Sequence, residues 1–285
     1  MIHKNRLLFV ALAILIIVGV MGAWLSFITH ATTSAALEAE VGTKVGVTTV
    51  ADSSASSGGA VRFAAPLKGT VKLMPLGDSI TWGVGSPTGS GGYRVKLWQD
   101  LVQTDHDNID FVGSRSGGPD TLGDKDNEGH PSWCLAGTCG TYDTLQNNIV
   151  SWLTTYQPDI ILLHIGTNDI NGYGATGATM ATRLDTFLST VYATTPKVHV
   201  VVAQLIPLLY PGFPTRQQAI SDYNAAMPGI AAKYQSEGHD VRVVNMFNIL
   251  DTSTDYYDTV HPNQQGYDKM ADAWYPVVKN IYDGL

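Results

Sequence analysis

Charged side chains make up only 15% of the 285 residues, and basic ones are the scarcer: 17 Lys and Arg stand against 25 Asp and Glu, for a net charge of −8. An acidic surface repels phosphate backbones and anionic headgroups, so nucleic acid is not an expected partner. Cysteine is rarer still. Only Cys134 and Cys139 are present, which excludes a disulfide-rich scaffold, and no Cys-x-x-Cys spacing exists to build a zinc site. The Gly-rich tract from Gly83 to Gly92 contains no Gly-Lys-Ser/Thr and follows no dinucleotide fingerprint, so a phosphate loop is ruled out. Gly-x-Ser-x-Gly is missing too, because Thr81 stands where the second Gly of that elbow would fall. What remains is 44% apolar residues, enough for one large domain or at most two.

Lys4 and Arg6 precede an uncharged apolar run, Leu7 to Ile28. Its length suits a retained membrane anchor, whereas the small residues of 29–36 suit a signal-peptidase cut after Ala31, Ala35 or Ala36. Residues 1–30 therefore read as a signal peptide or an N-terminal anchor, and either one places the rest outside the cytoplasm. There, two cysteines five positions apart are expected to form one small-loop disulfide. Residues 31–68, rich in Ala, Ser, Thr and Gly, read as a flexible linker, because such a segment buries too little apolar area to offset its ordering entropy. The folded domain is expected over 69–285.

Within that domain, short runs dense in Val, Ile and Leu alternate with helical stretches. Strands are expected at Val71–Leu76, Ile109–Val112, Ile160–Ile165, Val198–Leu205 and Val241–Met246, as when both faces of a parallel sheet are covered. Ile220, Tyr223, Met227, Ile230 and Tyr234 recur every three or four residues, predicting a helix over Gln217–Gln235 with Pro228 inside it. Another helix is expected over Gln264–Tyr282, capped by Asn263. Five strands alternating with helices imply a three-layer α/β/α sandwich with a five-stranded parallel sheet, whose ligand crevice lies beyond the carboxyl ends of the strands.

The residues at those strand ends deserve inspection. Gly77-Asp78-Ser79 follows the first strand and sets a hydroxyl at the start of a helix. On its own, Ser79 reads more readily as a helix N-cap. Gly113 closes the second strand with a backbone N–H that no side chain obstructs, and Asn168, after the third, can aim its amide at the same space. Asp258 stands three residues before His261, close enough to hold one imidazole tautomer. These supply a nucleophile (Ser79), a base (His261), an orienting acid (Asp258) and three oxyanion donors: the N–H groups of Ser79 and Gly113 and the Asn168 side chain. No metal or cofactor is required.

In this order the blocks resemble the SGNH (GDSL-like) hydrolase superfamily: Gly77-Asp78-Ser79, then Gly113, then Gly166-Thr167-Asn168-Asp169, then Asp258 with His261. A finer resemblance is to carbohydrate esterase family 3, the acetylxylan esterase-like branch. It rests on Gly91-Gly92-Tyr93-Arg94, Phe111-Val112-Gly113-Ser114, Glu128-Gly129-His130-Pro131, Leu162 to Asp169, and His261-Pro262-Asn263 with Gly266-Tyr267. Ser132 departs from the pattern, since related loops often have Gly before the Trp that here is Trp133, and this puts the loop's conformation in question. The resemblance implies hydrolysis of acetyl esters of polysaccharide, or of small esters, through an acyl-Ser79 intermediate. A lysophospholipase or thioesterase with the same triad, and a catalytically silent carbohydrate-binding protein on the same fold, are the alternatives.

Other residues carry less. Trp82, Tyr93, Arg94, His130 and Trp133 are candidate substrate contacts, and Tyr210 is a further ring that could stack on sugar, against a default of core packing. His164 reads as a hydrogen-bonded core histidine. Asp124 to Glu128 resembles the first half of a calcium loop, but Leu135 stands at its twelfth position and a solvated acidic loop is the simpler reading. The connection from Ser114 to Gly140 is long enough to be a binding loop.

Overall fold

The computed structural model describes residues 47–51, 59–63, 69–104 and 106–285, so the apolar run expected to be a signal or anchor lies outside the described residues. The described residues fall into two units, divided between Leu67 and Lys68. In the first, β1 (Val47–Ala51) pairs antiparallel with β2 (Gly59–Phe63), Val47 opposite Phe63, a regular ladder inside the stretch expected to be linker. β-branched Val and Thr in β1 suit a strand even where the surrounding Ala/Ser/Gly composition does not.

The second unit contains β3 (Val71–Gly77), α1 (Ser79–Trp82), α2 (Tyr93–Gln103), β4 (Ile109–Phe111), β5 (Arg115–Ser116), β6 (Asp126–Gly129), α3 (Leu145–Tyr156), β7 (Ile160–His164), α4 (Thr167–Asn171), α5 (Gly177–Thr194), β8 (His199–Ala203), α6 (Pro214–Ser236), β9 (Val241–Val244) and α7 (Gln264–Gly284). The five expected strands all form and pair in parallel, in the order β4-β3-β7-β8-β9. Numbered along the chain this order is 2-1-3-4-5, the flavodoxin-like arrangement, whose switch point lies between the first strand and its neighbours.

Alternate residues of each strand feed opposite faces. Met74 and Leu76 of β3 pack beneath α3, α5 and α6, whereas Val71 and Leu73 pack beneath α2 and α7. Ile161 and Leu163 against Ile160 and Leu162 repeat the division in β7. Both faces are therefore dry, and each fully buried Leu or Ile contributes about 1.5–3 kcal/mol before chain entropy is counted. Asn263 caps α7 as expected, its side chain accepting from Gly266 N–H, and α6 continues through Pro228.

Two further strands were not legible. β4 pairs only Val71–Leu73 of β3, so the last residues of β3 have an open edge on that side, and β6 fills it with Leu76 opposite Glu128 and Gly77 opposite Gly129. β5 then pairs antiparallel with β6. The sequence Asp-Asn-Glu-Gly carries no strand propensity, and only the vacant edge recruits it. Part of the connection from Ser114 to Gly140 is thus sheet, and Asp126, of the calcium-like stretch, lies in that strand. Asp124 spends its carboxylate on the backbone N–H groups of Phe111 and Asp126. Among the described residues no helix is long and apolar enough to cross a membrane.

Candidate active site

Ser79 opens α1 directly after β3, at the switch point. Gly77 makes this turn possible, because a Cβ there would lie 2.2 Å from the His164 carbonyl oxygen and 2.4 Å from Thr81 Oγ1. The helix N-cap is Asp78, whose Oδ1 accepts from Ile80 N–H at 2.9 Å. The capping role expected of Ser79 is thus taken by its neighbour, and the serine hydroxyl is left for other work. Asp78 itself is wholly buried, and burial pushes its pKa up to about 7 despite the Ile80 bond.

Ser79 Oγ lies 2.8 Å from His261 Nε2, and His261 Nδ1 lies 2.8 Å from Asp258 Oδ2. Asp258 Oδ1 also accepts the backbone N–H groups of Val260 and His261, each at 2.7 Å, which folds the loop around its own carboxylate. Burial acts to raise the Asp258 pKa, but the bonds from His261 backbone and ring and from Val260 outweigh it and hold the carboxyl below its ordinary value. The three residues expected from sequence therefore converge across the whole domain. Ser79 and His261 are largely shielded, while 41% of the Asp258 side chain is exposed.

Gly113 follows β4 beside the same strand end. Val112 N–H donates to Leu73 C=O just before it, and a Cβ on Gly113 would lie 2.2 Å from the Asn127 carbonyl carbon. Asn168, in α4 after β7, donates one amide N–H to Trp133 C=O at 2.8 Å, which leaves its second for the crevice. Asp169 beside it is buried, accepting from Leu135 N–H and pairing with Arg183 at 2.6 Å. A disulfide joins Cys134 to Cys139 in this same loop, with Cα atoms 5.9 Å apart. Ser132, where Gly was expected from the resemblance, takes φ of 70°, so the loop holds a left-handed turn that costs a non-glycine residue about 1–2 kcal/mol.

Several expected substrate contacts are corrected by burial. Arg94 is fully buried, and its guanidinium donates to the carbonyls of Thr81, Trp82, Gly117 and Lys125. It secures the carboxyl end of the short helix that begins with Ser79. Tyr93 is equally buried, packed 5.9 Å from Trp274. His130 is also buried, 2.6 Å from Glu128 Oε2 and clustered with the rings of Trp133 and Trp152 at centroid distances of 4.2 and 5.0 Å. Trp82 and Trp133 remain half-buried, Trp82 with the Arg115 guanidinium 4.4 Å above its ring. His164 is buried in the core as expected, but it is not the hydrogen-bonded histidine expected there: neither ring nitrogen reaches a partner on another residue, and burial lowers its pKa to about 4.

Glu128 was missed as a site residue. It is fully buried and accepts Ser114 N–H at 2.5 Å and Ser114 Oγ at 2.9 Å as well as bonding His130. It thereby clamps the residue after Gly113. The signal available was the Glu-x-His spacing from Glu128 in β6 to His130 just past its end, which an acidic-loop reading obscured.

Known proteins resemble this chain in sequence and fold. The profile of the GDSL-like lipase/acylhydrolase family matches residues 76–269. A multidomain esterase of Ruminococcus flavefaciens is 32% identical over 222 residues, 72% of this chain and 28% of that protein, so the chain spans under a third of that relative's length. Among solved structures, a family 3 carbohydrate esterase from Clostridium thermocellum is 35% identical with a TM-score of 0.65, covering 75% of this chain and 98% of its own. A family 3 carbohydrate esterase from Talaromyces cellulolyticus is 26% identical with a TM-score of 0.61, covering 75% and 99%. The chain belongs to the GDSL-like lipase/acylhydrolase family, and the domain that bears the match is an SGNH-type ester hydrolase.

Proposed function

We propose that the protein is an exported serine esterase that removes O-acetyl groups from polysaccharide. The observation that carries this reading is the continuous 2.8 Å chain from Ser79 Oγ through His261 to Asp258, set in a domain similar to family 3 carbohydrate esterases. The uncharged run Leu7 to Ile28 and the Cys134–Cys139 disulfide support export.

In this mechanism Ser79 Oγ bonds to the acetyl carbonyl carbon while its proton passes to His261 Nε2. The oxyanion is received by the N–H groups of Ser79 and Gly113 and by the free amide N–H of Asn168. Collapse breaks the bond to the sugar oxygen, which takes the proton from His261, and the acyl group stays on Ser79. Water then attacks the acyl-enzyme, His261 accepts its proton and returns it to Ser79 Oγ, and acetate leaves. Asp258 holds His261 Nδ1–H throughout and stabilises the imidazolium.

The test is turnover of p-nitrophenyl acetate and acetate release from acetylated xylan, each compared with Ser79→Ala. A loss of ~10⁶-fold in kcat is expected. Activity retained by Ser79→Ala, or a preference for palmitoyl over acetyl esters, refutes the reading.

A further inference from the structure

Eight large apolar side chains are exposed among the described residues, and they divide sharply by chemistry. Val102 and Val150 lie on helices and Leu285 just past the end of α7, whereas the aromatic ones, Tyr142, Tyr173, Tyr210, Phe213 and Tyr257, all lie in segments that leave the carboxyl ends of β6, β7, β8 and β9. That is the edge where Ser79 and His261 meet. Their exposure, from 36% for Tyr210 to 67% for Tyr257, is high for rings that burial would stabilise.

The segments are tied to the catalytic loop. Tyr257 N–H donates to His261 C=O at 2.9 Å, and Leu209 N–H, just before Tyr210, donates to Thr259 C=O at 2.8 Å. Tyr210 and Phe213 meet edge to face at 6.4 Å. On another side, a Cβ on Gly140 would lie 2.6 Å from Tyr173 Oη, so the disulfide loop that bears Tyr142 adjoins the end of α4. Tyr257 also walls an open groove of about 700 Å³ whose other walls include Gly85, Ser86, Pro87, Gln264 and Gln265, with no charged side chain among its lining residues.

In that groove an aromatic face beside amides and a hydroxyl, without charge, matches the chemistry of a neutral sugar chain, whose ring C–H groups stack on the arene and whose hydroxyls pair with the amides; at the neighbouring pair the Arg216 guanidinium lies 4.1 Å over the Phe213 ring. We propose that these rings form a rim that binds an extended neutral polysaccharide across the mouth of the catalytic crevice, with Tyr257 as its anchor in the groove. This rests on the acetyl-polysaccharide reading above and extends it from a single ester to several sugar units of a polymer. Charge supports that occupant: the lining of the groove offers no cation to an anionic chain, and the guanidinium beside Tyr210 and Phe213, that of Arg216, donates to Asn171 Oδ1 and lies over the Phe213 ring.

The full chain carrying Ser79→Ala, which binds without consuming substrate, is titrated against insoluble acetylated xylan. Adding Tyr257→Ala, or Tyr210→Ala with Phe213→Ala, is expected to weaken binding ~2- to 12-fold per ring. Tyr257→Phe should restore it, and Val150→Ala on α3 should leave it as it was. In the Ser79 background, kcat/KM on acetylated xylan relative to p-nitrophenyl acetate should fall with the same substitutions. Unchanged xylan binding in both aromatic variants overturns the rim, as does a loss of phosphatidylcholine-vesicle binding or of self-association with those substitutions. Wild type that fails to turn over p-nitrophenyl acetate while binding xylan through these rings sinks the esterase reading and leaves the rim standing.

Discussion

Two substitutions of Asp258 should differ from one another in a way that only the hydrogen-bond geometry foretells. Asp258 Oδ1 accepts two backbone N–H groups, from Val260 and His261, and Oδ2 faces His261 Nδ1. In Asp258→Asn the amide oxygen must occupy the first position, because donors already point at it. The NH₂ then faces Nδ1, which has to accept, and the imidazole proton moves to Nε2. There it opposes Ser79, whose own proton needs an acceptor at 2.8 Å. The base is disabled by its tautomer, a defect of ~10⁴-fold in triads of this kind. Asp258→Ala is milder. It removes the charge, and since the carboxylate is 41% exposed, water takes its place beside Nδ1. At an intermediate effective dielectric of ~40, a charge pair 2.8 Å apart is worth about 3 kcal/mol, or ~10²-fold in rate. Measuring kcat/KM on p-nitrophenyl acetate should rank wild type above Asp258→Ala and that above Asp258→Asn, with melting curves confirming that both variants fold. Asp258→Asn matching or exceeding Asp258→Ala would refute the tautomer argument.

Gly113→Ala should lower kcat ~10²- to 10³-fold, since its Cβ would lie 2.2 Å from the Asn127 carbonyl carbon and must displace the Gly113 N–H; an unaltered kcat removes Gly113 from the oxyanion site. Asp78→Asn should stabilise the fold at neutral pH. Burial raises the Asp78 pKa from 3.8 to about 7, so the folded state keeps a proton that the unfolded chain releases, and stability is lost as pH rises from about 4 to 7. An Asn cannot ionise and still caps Ile80, so its advantage should grow across that window to about 4 kcal/mol and then level; parallel stability–pH profiles for the two proteins contradict this.

Much of the architecture could be read from local pattern. Strands covered on both faces advertise themselves as unbroken Val, Ile and Leu runs, and all five formed within a few residues of the expected limits. β6 could not be found that way, because Asp126–Gly129 is a strand only by virtue of the edge that β4 leaves open on β3. In the site, Ser79, His261 and Asp258 were legible because their chemistry demands particular residue types after particular strands. Arg94 and Tyr93 were misread as substrate contacts: a cation and a phenol near a serine look alike whether they face solvent or support the helix behind it. Burial distinguishes them, and burial belongs to the packed molecule.

The amino-acid order alone was sufficient to specify which segments become strands, which strand ends bear a nucleophile, a base and an acid, and that two cysteines could close a small loop, since each depends on neighbours within a few residues. It took the folded sheet to bring Ser79 within 2.8 Å of a histidine 182 positions away, to hand the helix cap to Asp78, to seal Glu128 under Ser114 and His130, and to gather the exposed rings at one edge. Those outcomes depend on strand order and register, which couple distant residues through contacts that no short window of sequence contains.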